Sequence, residues 1–495
     1  MADRSPAPSD FAAAPDARLY NADLAPVPVE RRTWRIGSFA ALWISLSACI
    51  PTYMLASSLI GGGLNWWEAI LTIFLGNLIV LVPMVLNAHA GTRYGIPFPV
   101  YCRAAFGTQG ANLPAILRAL IACGWFGIQT WIGGEAIYKL LTFFAPALTR
   151  IGGTGRLGVA PLPFACFLLF WSLNMLVVYK GIDSIRLLLS IKAPLLITLG
   201  LLLLGWAYRH AGGFGPMLAQ PSAFAVGQPK AGHFWAFFFP ALTGMIGFWA
   251  TLSLNIPDFS RYARSQRDQV TGQALGLPLT MTLFAFIGVA VTSATTIIYG
   301  HTIWDPVEVL THFQDPAILI VAMLALCLAT LATNIAANVV SPANDFSNLA
   351  PGKISFRTGG LITGLIGIAM MPWKLIADPT GYIFTWLVGS SALLGPIGGI
   401  LIADYFVCRR CRLDVAALYL TDGEYRFTGG VSLVAVAAFV VGALPSLPGF
   451  LAQVNVIPPE SVPPFLISLY HFTWFVGFGS AFVLYLVLRK LAPKA

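Results

Sequence analysis

The chain has 495 residues, of which 57% are hydrophobic and 10% are charged, and its mean hydropathy is +0.77. This composition is too apolar for a soluble core of that length, so it excludes a water-soluble domain and predicts a protein with many membrane spans. The net charge of +9 is explained by basic residues near span ends, so it requires no nucleic-acid partner.

Apolar runs long enough to cross a hydrocarbon layer of about 30 Å, roughly 20 helical residues each, recur along the whole chain. They predict an all-α integral membrane protein with twelve transmembrane helices. The predicted spans are 38–60, 66–90, 113–142, 160–179, 188–208, 236–256, 273–299, 316–342, 358–373, 380–403, 428–450 and 466–489.

These spans divide the chain into five parts. They are a cytoplasmic N-terminal tail at 1–37, a first five-helix repeat at 38–208, an extracytoplasmic loop at 209–235, a second five-helix repeat at 236–403, and two accessory helices with a cytoplasmic C-terminus at 404–495. The tail is polar and has no apolar segment typical of a secretory leader.

The orientation follows from the basic residues, which stay on the cytoplasmic side of a membrane. With the N-terminus inside, only six of the 29 basic residues fall outside: Lys139, Arg150, Arg156, Arg209, Lys230 and Lys374. Both termini are therefore predicted to be cytoplasmic, in an inner or plasma membrane.

Two predicted spans contain helix-breaking residues. In span 1, "SLSACIPTYM", Pro51 removes one backbone donor and is expected to push Ile50 out of the α region. In span 6, "FFFPALTGMIGFWATL", the breakers are Pro240, Gly244 and Gly247. Each alone predicts no more than a kink, but breaks at matching positions of two sets of five helices predict an inverted-repeat transporter with a central site.

The third members of the two sets carry unusual polar residues. In span 3, "GWFGIQTW" at 124–131 places Trp125 and Gln129 four residues apart, on one helix face. An indole beside a primary amide suits a flat heterocycle with a donor–acceptor edge. The alternative is that Trp125 only packs and Gln129 joins two helices by a hydrogen bond.

In span 8, "LATNIAANVVSPAND" at 331–345, Thr333 and Asn338 lie five residues apart and should face different neighbours. Asn338 can offer a second amide to the same ligand, and Thr333 can turn its hydroxyl toward the break in span 1. Interhelical hydrogen bonding is the alternative, and it is the expected role of Asn334.

In span 6, Trp249 can supply the opposite wall of an aromatic sandwich, and Phe248 and Gly247 beside it would leave backbone groups exposed. Packing is the alternative, because most of the fourteen tryptophans must be packing residues or interfacial anchors.

Few carboxylates lie in the spans. Glu135, about 15 Å beyond Trp125 along span 3, is either a proton carrier or a hydrogen-bonded structural residue. Asp258 and Asp345 are expected at the cytoplasmic surface, paired with Arg261 or Arg264.

Five motifs in order carry a resemblance to a known family: "LYNADLAPVP", "GWFGIQTWIGGEA", "GFWATLSLNIPDFSRYARS", "LATNIAANVVSPANDFSNL" and "ADYFV". From residue 18 to about 420 the chain resembles the nucleobase–cation symporter-1 family of hydantoin, allantoin, uracil and cytosine carriers. The resemblance implies twelve helices with the leucine-transporter fold, five-plus-five inverted repeats, and alternating access.

The resemblance also implies roles for particular residues. The family's substrate residues fall on Trp125 and Gln129 in helix 3, Trp249 in helix 6 and Asn338 in helix 8. Independently of the resemblance, Pro51, Gly247 and Phe248, which lie at the two predicted breaks, are also predicted to bind the substrate.

The family's sodium site falls on the carbonyls of Ser47, Ile50 and Ala329 and on the hydroxyl positions of Ala332 and Thr333. Where the sodium-coupled pattern has Ser-Thr, this chain has Ala332-Thr333, so one oxygen ligand is missing. The resemblance therefore leaves sodium and the proton as alternative coupling ions, and no other cofactor is expected.

The predicted function is secondary active uptake of a small planar nitrogen heterocycle such as allantoin, hydantoin or uracil. The alternatives are proton-coupled uptake of another nucleobase or related vitamin, a passive channel, and a membrane-embedded enzyme. The expected partners are the heterocycle and the lipid bilayer, with the chain as a monomer.

Overall fold

The computed structural model describes residues 15–491 except 151, 152, 154, 156, 181 and 380. Within these residues the chain is helical and forms no strand beyond two isolated β-bridges. The predicted all-α class is therefore confirmed.

The first half of the chain forms eight α-helices. They are α1 (Ile36–Ser47), α2 (Ile50–Gly62), α3 (Trp66–Tyr94), α4 (Phe98–Phe106), α5 (Asn112–Phe144), α6 (Pro161–Lys180), α7 (Ile182–His210) and α8 (Phe214–Leu218). Short 3-10 helices accompany them at Val29–Arg31 and Pro146–Arg150.

The second half continues the α-helical series. Its members are α9 (Phe234–Asn255), α10 (Pro257–Ser260), α11 (Gln266–Tyr299), α12 (Pro306–Thr311), α13 (Pro316–Asn338), α14 (Val340–Leu349), α15 (Phe356–Ala369), α16 (Pro372–Leu375), α17 (Val388–Ile402), α18 (Leu433–Ala443), α19 (Leu447–Gln453), α20 (Pro464–His471) and α21 (Thr473–Leu491). Two π-helical segments, Gly381–Leu387 and Ala403–Cys408, flank α17. Four 3-10 helices complete the list: Ala417–Tyr419, Glu424–Arg426, Leu444–Ser446 and Pro459–Ser461.

In the part of the chain that the structure describes, nine helical segments are long and apolar enough to cross a membrane. A tenth is counted when α1 and α2, bent by 59° at their junction, are taken as one broken span. The helix in predicted span 9, α15, has only 14 residues and is too short to enter this count.

The predicted break in span 1 lies at Ala48 and Cys49. Cys49 is extended, with φ −151° and ψ 159°, and Ile50 is the first residue of α2. The expectation that Ile50 leaves the α region was therefore wrong by one residue. Pro51 is tolerated as the second residue of α2 because its missing N–H would have no intrahelical partner there.

The predicted break in span 6 was wrong, because α9 runs without interruption through Pro240, Gly244 and Gly247. The glycines permit close approach instead. A Cβ atom at Gly247 would lie 2.3 Å from the Leu387 carbonyl oxygen and 2.4 Å from the Ser391 hydroxyl oxygen. Glycine is needed here because the backbone of α9 packs closely against Leu387, and not because the helix unwinds.

We expect Gly247→Ala to lower the melting temperature of the purified chain, because a methyl group there overpacks the contact at a cost of about 1–3 kcal/mol. Gly479→Ala in α21 is the matched control, since nothing lies within 4 Å of its Cβ position. Thermal unfolding in detergent checks the difference, and equal melting temperatures for the two variants would contradict it.

The helices form two groups that meet around the centre of the molecule. In the first, which we call the bundle, α1, α2 and α3 pack on α11, and α3 packs on α9. In the second, which we call the scaffold, α6, α13, α14 and α15 pack on α5. The groups touch where α9 meets α5 and where α1 meets α13, and α7 contacts both.

The segment that precedes α1 lies against both groups. Asn21 donates to the Ser347 hydroxyl of α14 at 2.8 Å, and Arg261, which follows α10, donates to the Asp23 carbonyl at 2.9 Å. Leu24 is fully buried. This segment therefore bridges the bundle and the scaffold at the end of the molecule that carries α10 and α14.

Candidate functional site

A small cavity lies where the junction of α1 and α2 meets α5, α9 and α13. Seven of the predicted site residues line it: Pro51, Trp125, Gln129, Phe248, Trp249, Thr333 and Asn338. These residues come from four separate stretches of sequence. The fold therefore brings together side chains that were predicted to meet although they lie far apart along the chain.

The other predicted site residues lie outside this cavity. Gly247 packs against Leu387, as described above, and the side chain of Ile50 lines a separate apolar cavity. The remaining three are buried but do not line the cavity: Ser47, Ala329 and Ala332.

Aromatic rings form one side of the cavity. The Trp125 ring makes edge-to-face contacts with Phe248 at 5.2 Å and Trp386 at 5.7 Å between centroids. Phe248 also contacts Trp249 at 4.9 Å, and Trp249 contacts Trp43 at 5.2 Å, again edge to face. Phe248 therefore contacts both tryptophans that were predicted to sandwich a ligand.

Two polar atoms of the lining residues are buried without a partner in the described part of the chain. They are the Gln129 Oε1 atom, an acceptor, and the Trp249 Nε1 atom, a donor. A buried polar atom without a hydrogen bond is unfavourable, and such atoms are rare in folded proteins. An unpaired acceptor and an unpaired donor together suit a ligand that carries both N–H and C=O groups.

A chain of amides positions Asn338. The Asn334 amide nitrogen lies within hydrogen-bond distance of three acceptors: the Phe126 carbonyl at 3.2 Å, the Thr130 hydroxyl at 3.0 Å and Asn174 Oδ1 of α6 at 3.2 Å. Asn338 in turn donates to Asn334 Oδ1 at 3.0 Å. Asn334 thus joins three scaffold helices, as predicted for it, and it orients Asn338 toward the cavity.

The cavity volume is about 30 Å³. This exceeds the roughly 10–15 Å³ that one water needs, and the lining residues pack closely around the space.

Five lining residues were missed from the sequence: Leu46, Cys49, Thr251, Leu252 and Ala337. Each lies within four residues of a predicted one, so helical periodicity could have found Ala337, which is four residues after Thr333. Cys49 is the extended residue of the break, and no sequence pattern distinguished it.

The candidate sodium ligands do not form a complete oxygen cage. Ala332 offers no side-chain oxygen, and the Thr333 hydroxyl donates to the Ala329 carbonyl at 2.8 Å. The Ser47 carbonyl accepts from the Cys49 N–H at 3.0 Å. Since hard cations need several oxygen ligands, this donor set fits a sodium ion poorly.

A buried charge network connects the ends of α5, α9 and α14. Arg118 and Asp345 form an ion pair at 2.8 Å, and neither side chain is exposed. Asp258 accepts from Ser341 at 2.5 Å and from the Phe98 backbone N–H at 2.8 Å. The expectation that both aspartates pair with Arg261 or Arg264 was therefore wrong. The fold buries both carboxylates, and Asp345 pairs with Arg118 of α5 while Asp258 accepts from Ser341 of α14.

This network also ties the bundle to the scaffold, since Asp258 follows α9 and Ser341 belongs to α14. Asn255 at the end of α9 lies 2.7 Å from the Ser341 hydroxyl. The two helix groups are therefore in contact at this end of the cavity. The sequence did contain a signal for the network, namely Arg118 inside an apolar span.

Glu135 lies on α5 toward the loop that contains Asp305, and Lys139 is nearby. Asp305 caps α12 by accepting from the Val307 N–H at 2.9 Å, and burial raises the pKa of its carboxyl. Glu135 is therefore a half-buried carboxylate close to a second one, and both predicted roles, proton carrier and structural residue, remain open for it.

A helical membrane protein with two helix groups, a broken span and a small aromatic and amide-lined cavity at their junction is, as a class, a membrane transporter. Comparison with known proteins makes the assignment more specific. The family described as "Permease for cytosine/purines, uracil, thiamine, allantoin" matches residues 26–477.

Relatives of known type cover nearly the whole chain. The purine–uracil permease NCS1 of Arabidopsis thaliana is 45% identical over 482 residues, which are 97% of this chain and 79% of that protein. The allantoin permease of Bacillus subtilis (strain 168) is 41% identical over 480 residues, 97% of this chain and 94% of that protein.

The fold also matches a solved transporter. The structure of Mhp1, a nucleobase–cation symport-1 family transporter, in a closed conformation with bromovinylhydantoin bound, superimposes with a TM-score of 0.75. It is 25% identical, and the match covers 96% of each chain. The chain therefore belongs to the nucleobase–cation symporter-1 family, and it is an alternating-access permease and not an enzyme.

Proposed function

We propose that this chain imports a small, planar, uncharged nitrogen heterocycle with a ureide or imide edge, such as allantoin, hydantoin or uracil, in symport with a cation. The observation that carries the proposal is the unpartnered buried acceptor Gln129 Oε1 in a cavity walled by Trp125, Phe248 and Trp249. Each of the three compounds carries adjacent N–H and C=O groups. The relatives include an allantoin permease and a purine–uracil permease, which supports the same substrate class.

In this proposal Trp125 and Trp249 stack on the two faces of the ring, while Gln129 and Asn338 pair with its edge. Each aromatic stack contributes about 1–3 kcal/mol, by analogy with bases stacked on proteins. Two stacks and two hydrogen bonds suit micromolar affinity, which is weak enough for release. Phe248 turns away to admit the ring.

Pro51 and Gly247 have supporting roles. The Pro51 carbonyl accepts a hydrogen bond from the Tyr382 hydroxyl at 3.3 Å, which links the start of α2 to the π-helical segment Gly381–Leu387. Gly247 keeps α9 close to the same segment. These contacts support a role for the segment before α17 as a gate that closes over the bound ring.

We further propose twelve spans arranged as two five-helix repeats, at 38–208 and 236–403, with the loop 209–235 outside and the tail 1–37 and residues 404–495 carrying cytoplasmic termini. The fold match to Mhp1 over 96% of each chain and the distribution of basic residues support this arrangement. The bundle would rock against the scaffold in an inner or plasma membrane, with the chain acting as a monomer.

The driving ion in this proposal is sodium or the proton. The alanine at position 332, which removes one sodium ligand of the family pattern, favours the proton. Uptake with sodium replaced by choline, with and without an uncoupler, separates the two ions.

The test of substrate class is a thermal-shift and uptake experiment with the purified full-length chain. We expect at least one of allantoin, hydantoin and uracil to stabilise the protein, since saturating ligand at about 100 times its Kd adds about 2.7 kcal/mol. The same compound should accumulate in sealed vesicles above its external concentration when a cation gradient is imposed.

N,N′-dimethyluracil is the matched control ligand, because it keeps the ring and the carbonyls but has no N–H group for Gln129. It should produce no comparable shift. A shift equal to that of uracil would contradict the proposed role of the edge, and equilibration without accumulation would indicate a passive channel.

A further inference from the structure

A second cavity, of about 590 Å³, lies where the π-helical segment Ala403–Cys408 and the turn after it meet the end of α21. It shares no lining residue with the aromatic cavity. Six of its eight lining residues are charged, and three of these are the arginines Arg409, Arg412 and Arg489. We call it the arginine cavity. A lining of this kind suits a charged ligand and not an apolar one.

The three carboxylates of the lining have partners inside the protein. Asp404 is almost fully buried and accepts from Arg409 Nε at 2.8 Å. Glu424 accepts from Arg409 Nη1 at 2.6 Å, and Asp414 accepts from the Ala417 N–H at 3.1 Å. Arg409 is therefore neutralised by the protein itself, and it is not the residue that a ligand would find free.

The other two arginines of the lining are not neutralised in this way. Within the described residues, neither Arg412 nor Arg489 forms an ion pair. The Arg489 guanidinium lies 5.3 Å from the centroid of the Phe427 ring, which holds it at the cavity. Two exposed neighbours, Arg410 and Lys490, bring the charge of this region to five basic residues against three carboxylates. The region therefore attracts anions.

The turn that carries Arg412 is fixed by the fold. Arg410 and Cys411 are both left-handed, with φ 50° and 61°. The Tyr94 hydroxyl of α3 donates to the Cys411 carbonyl at 2.7 Å and accepts from the Leu413 N–H at 3.0 Å. The residues on both sides of Arg412 are thus anchored to one side chain, so a ligand that binds this arginine loses little free energy in ordering the main chain.

The position of the arginine cavity corresponds to the depth of lipid headgroups. Two candidate membrane spans, Gly381–Cys408 and Thr473–Leu491, end at this place. A span ends where the hydrocarbon layer ends and the headgroup region begins. Val407 and Leu491, at the two span ends, are 50% and 76% exposed, as expected of apolar side chains that face lipid. A phosphate group in the cavity can therefore belong to a lipid whose acyl chains pass these two residues.

We propose that the arginine cavity binds the phosphate group of an anionic phospholipid, held by Arg412 and Arg489. The guanidinium group pairs with two phosphate oxygens at once, which makes arginine the usual residue for this role. Basic pockets between span ends select anionic headgroups, because a zwitterionic headgroup adds an ammonium that the arginines repel. This binding site is separate from the substrate site, and the proposal does not depend on which heterocycle is transported.

The direct test is native mass spectrometry of the purified full-length chain in detergent, titrated with dioleoyl phosphatidylglycerol or with dioleoyl phosphatidylcholine. We expect saturable binding of the phosphatidylglycerol, at least about tenfold tighter than binding of the phosphatidylcholine with the same acyl chains. Glycerol 3-phosphate and inorganic phosphate, each at the concentration of the lipid, should not displace it. Displacement by either would identify a site for soluble phosphates and would overturn the assignment to a lipid.

The variant Arg412→Gln/Arg489→Gln is expected to bind phosphatidylglycerol roughly 10- to 30-fold more weakly, because two charges that attract the headgroup are lost. Arg31→Gln/Arg264→Gln is the matched control. Both of these arginines are exposed, form no ion pair within the described residues and lie outside the arginine cavity. The control variant should bind the lipid as tightly as the unmodified chain.

Three results would overturn the proposal: equal affinity for the two lipids, unchanged phosphatidylglycerol binding in Arg412→Gln/Arg489→Gln, and an equal loss in the control variant. The third would indicate a general attraction between basic surface and lipid. Melting temperatures in detergent without added lipid show whether the variants are folded. If Arg412→Gln/Arg489→Gln does not fold, the comparison of the two lipids and the soluble phosphates on the unmodified chain still decides.

Discussion

Replacing Gln129 by leucine is expected to weaken binding of the transported heterocycle roughly 10- to 100-fold while leaving the chain folded. Leucine has nearly the volume of glutamine, so the cavity keeps its shape. The substrate N–H that pairs with Gln129 Oε1 loses its partner in a buried site, which costs about 1–3 kcal/mol, and 1.4 kcal/mol is a factor of ten in affinity. Ligand binding to the purified variant by calorimetry checks the loss.

Gln273→Leu is the matched control for this variant. Gln273 is also fully buried and, within the described residues, its Oε1 atom is also without a partner, but it lies on α11 away from the cavity. Equal affinities for the Gln129→Leu variant and the unmodified chain would remove Gln129 from the site. An equal loss in both variants would show that the effect is a general one of packing.

Asn338→Ala is expected to have a smaller effect than Gln129→Leu. Asn338 already donates to Asn334, so one of its groups is satisfied inside the protein. Asn338 is thus one member of a hydrogen-bonded chain of amides. Gln129 Oε1, in contrast, has no partner within the described residues.

Helical spacing predicted part of this site, and the family resemblance predicted other lining residues, such as Trp249 and Asn338. Trp125 and Gln129 were placed on one face from their spacing of four residues, and both line the cavity. The positions of spans were predicted equally well where the apolar run was long, as with α3, predicted at 66–90 and found at Trp66–Tyr94. In both cases the information lies within a few neighbouring residues.

Several contacts between distant segments were not predicted. The glycines of α9 were interpreted as a break, whereas Gly247 is required by a carbonyl 140 residues away, at Leu387. Lys192 was not distinguished in the sequence, because only the fold shows that its Nζ atom donates to the Ser45 carbonyl. A sequence reveals that a residue is unusual, but its partner is set by packing.

The largest effect on stability is expected from breaking the ion pair between Arg118 and Asp345. Both side chains are fully buried, and they meet at 2.8 Å. Removal of one partner leaves an uncompensated charge in a low-dielectric interior, which typically costs about 3–5 kcal/mol. We therefore expect Asp345→Leu and Arg118→Met, each alone, to lower the melting temperature strongly or to prevent purification of folded protein.

The double variant Arg118→Met/Asp345→Leu should recover most of the lost stability, because a buried ion pair replaced by apolar residues of similar size is often no less stable. Within the described residues Arg118 Nε and Asp345 Oδ1 have no hydrogen-bond partner, so the hydrogen bonds of the pair are incomplete and little stability is lost when both residues are replaced.

Arg18→Met is the control, since Arg18 is exposed and pairs with Asp16 at 2.7 Å. A surface pair of that kind contributes little to stability. A double variant as unstable as the single ones would show that the charges do more than neutralise each other. The reason would then be the connection of this network to Asn255 and Ser341, which join bundle and scaffold.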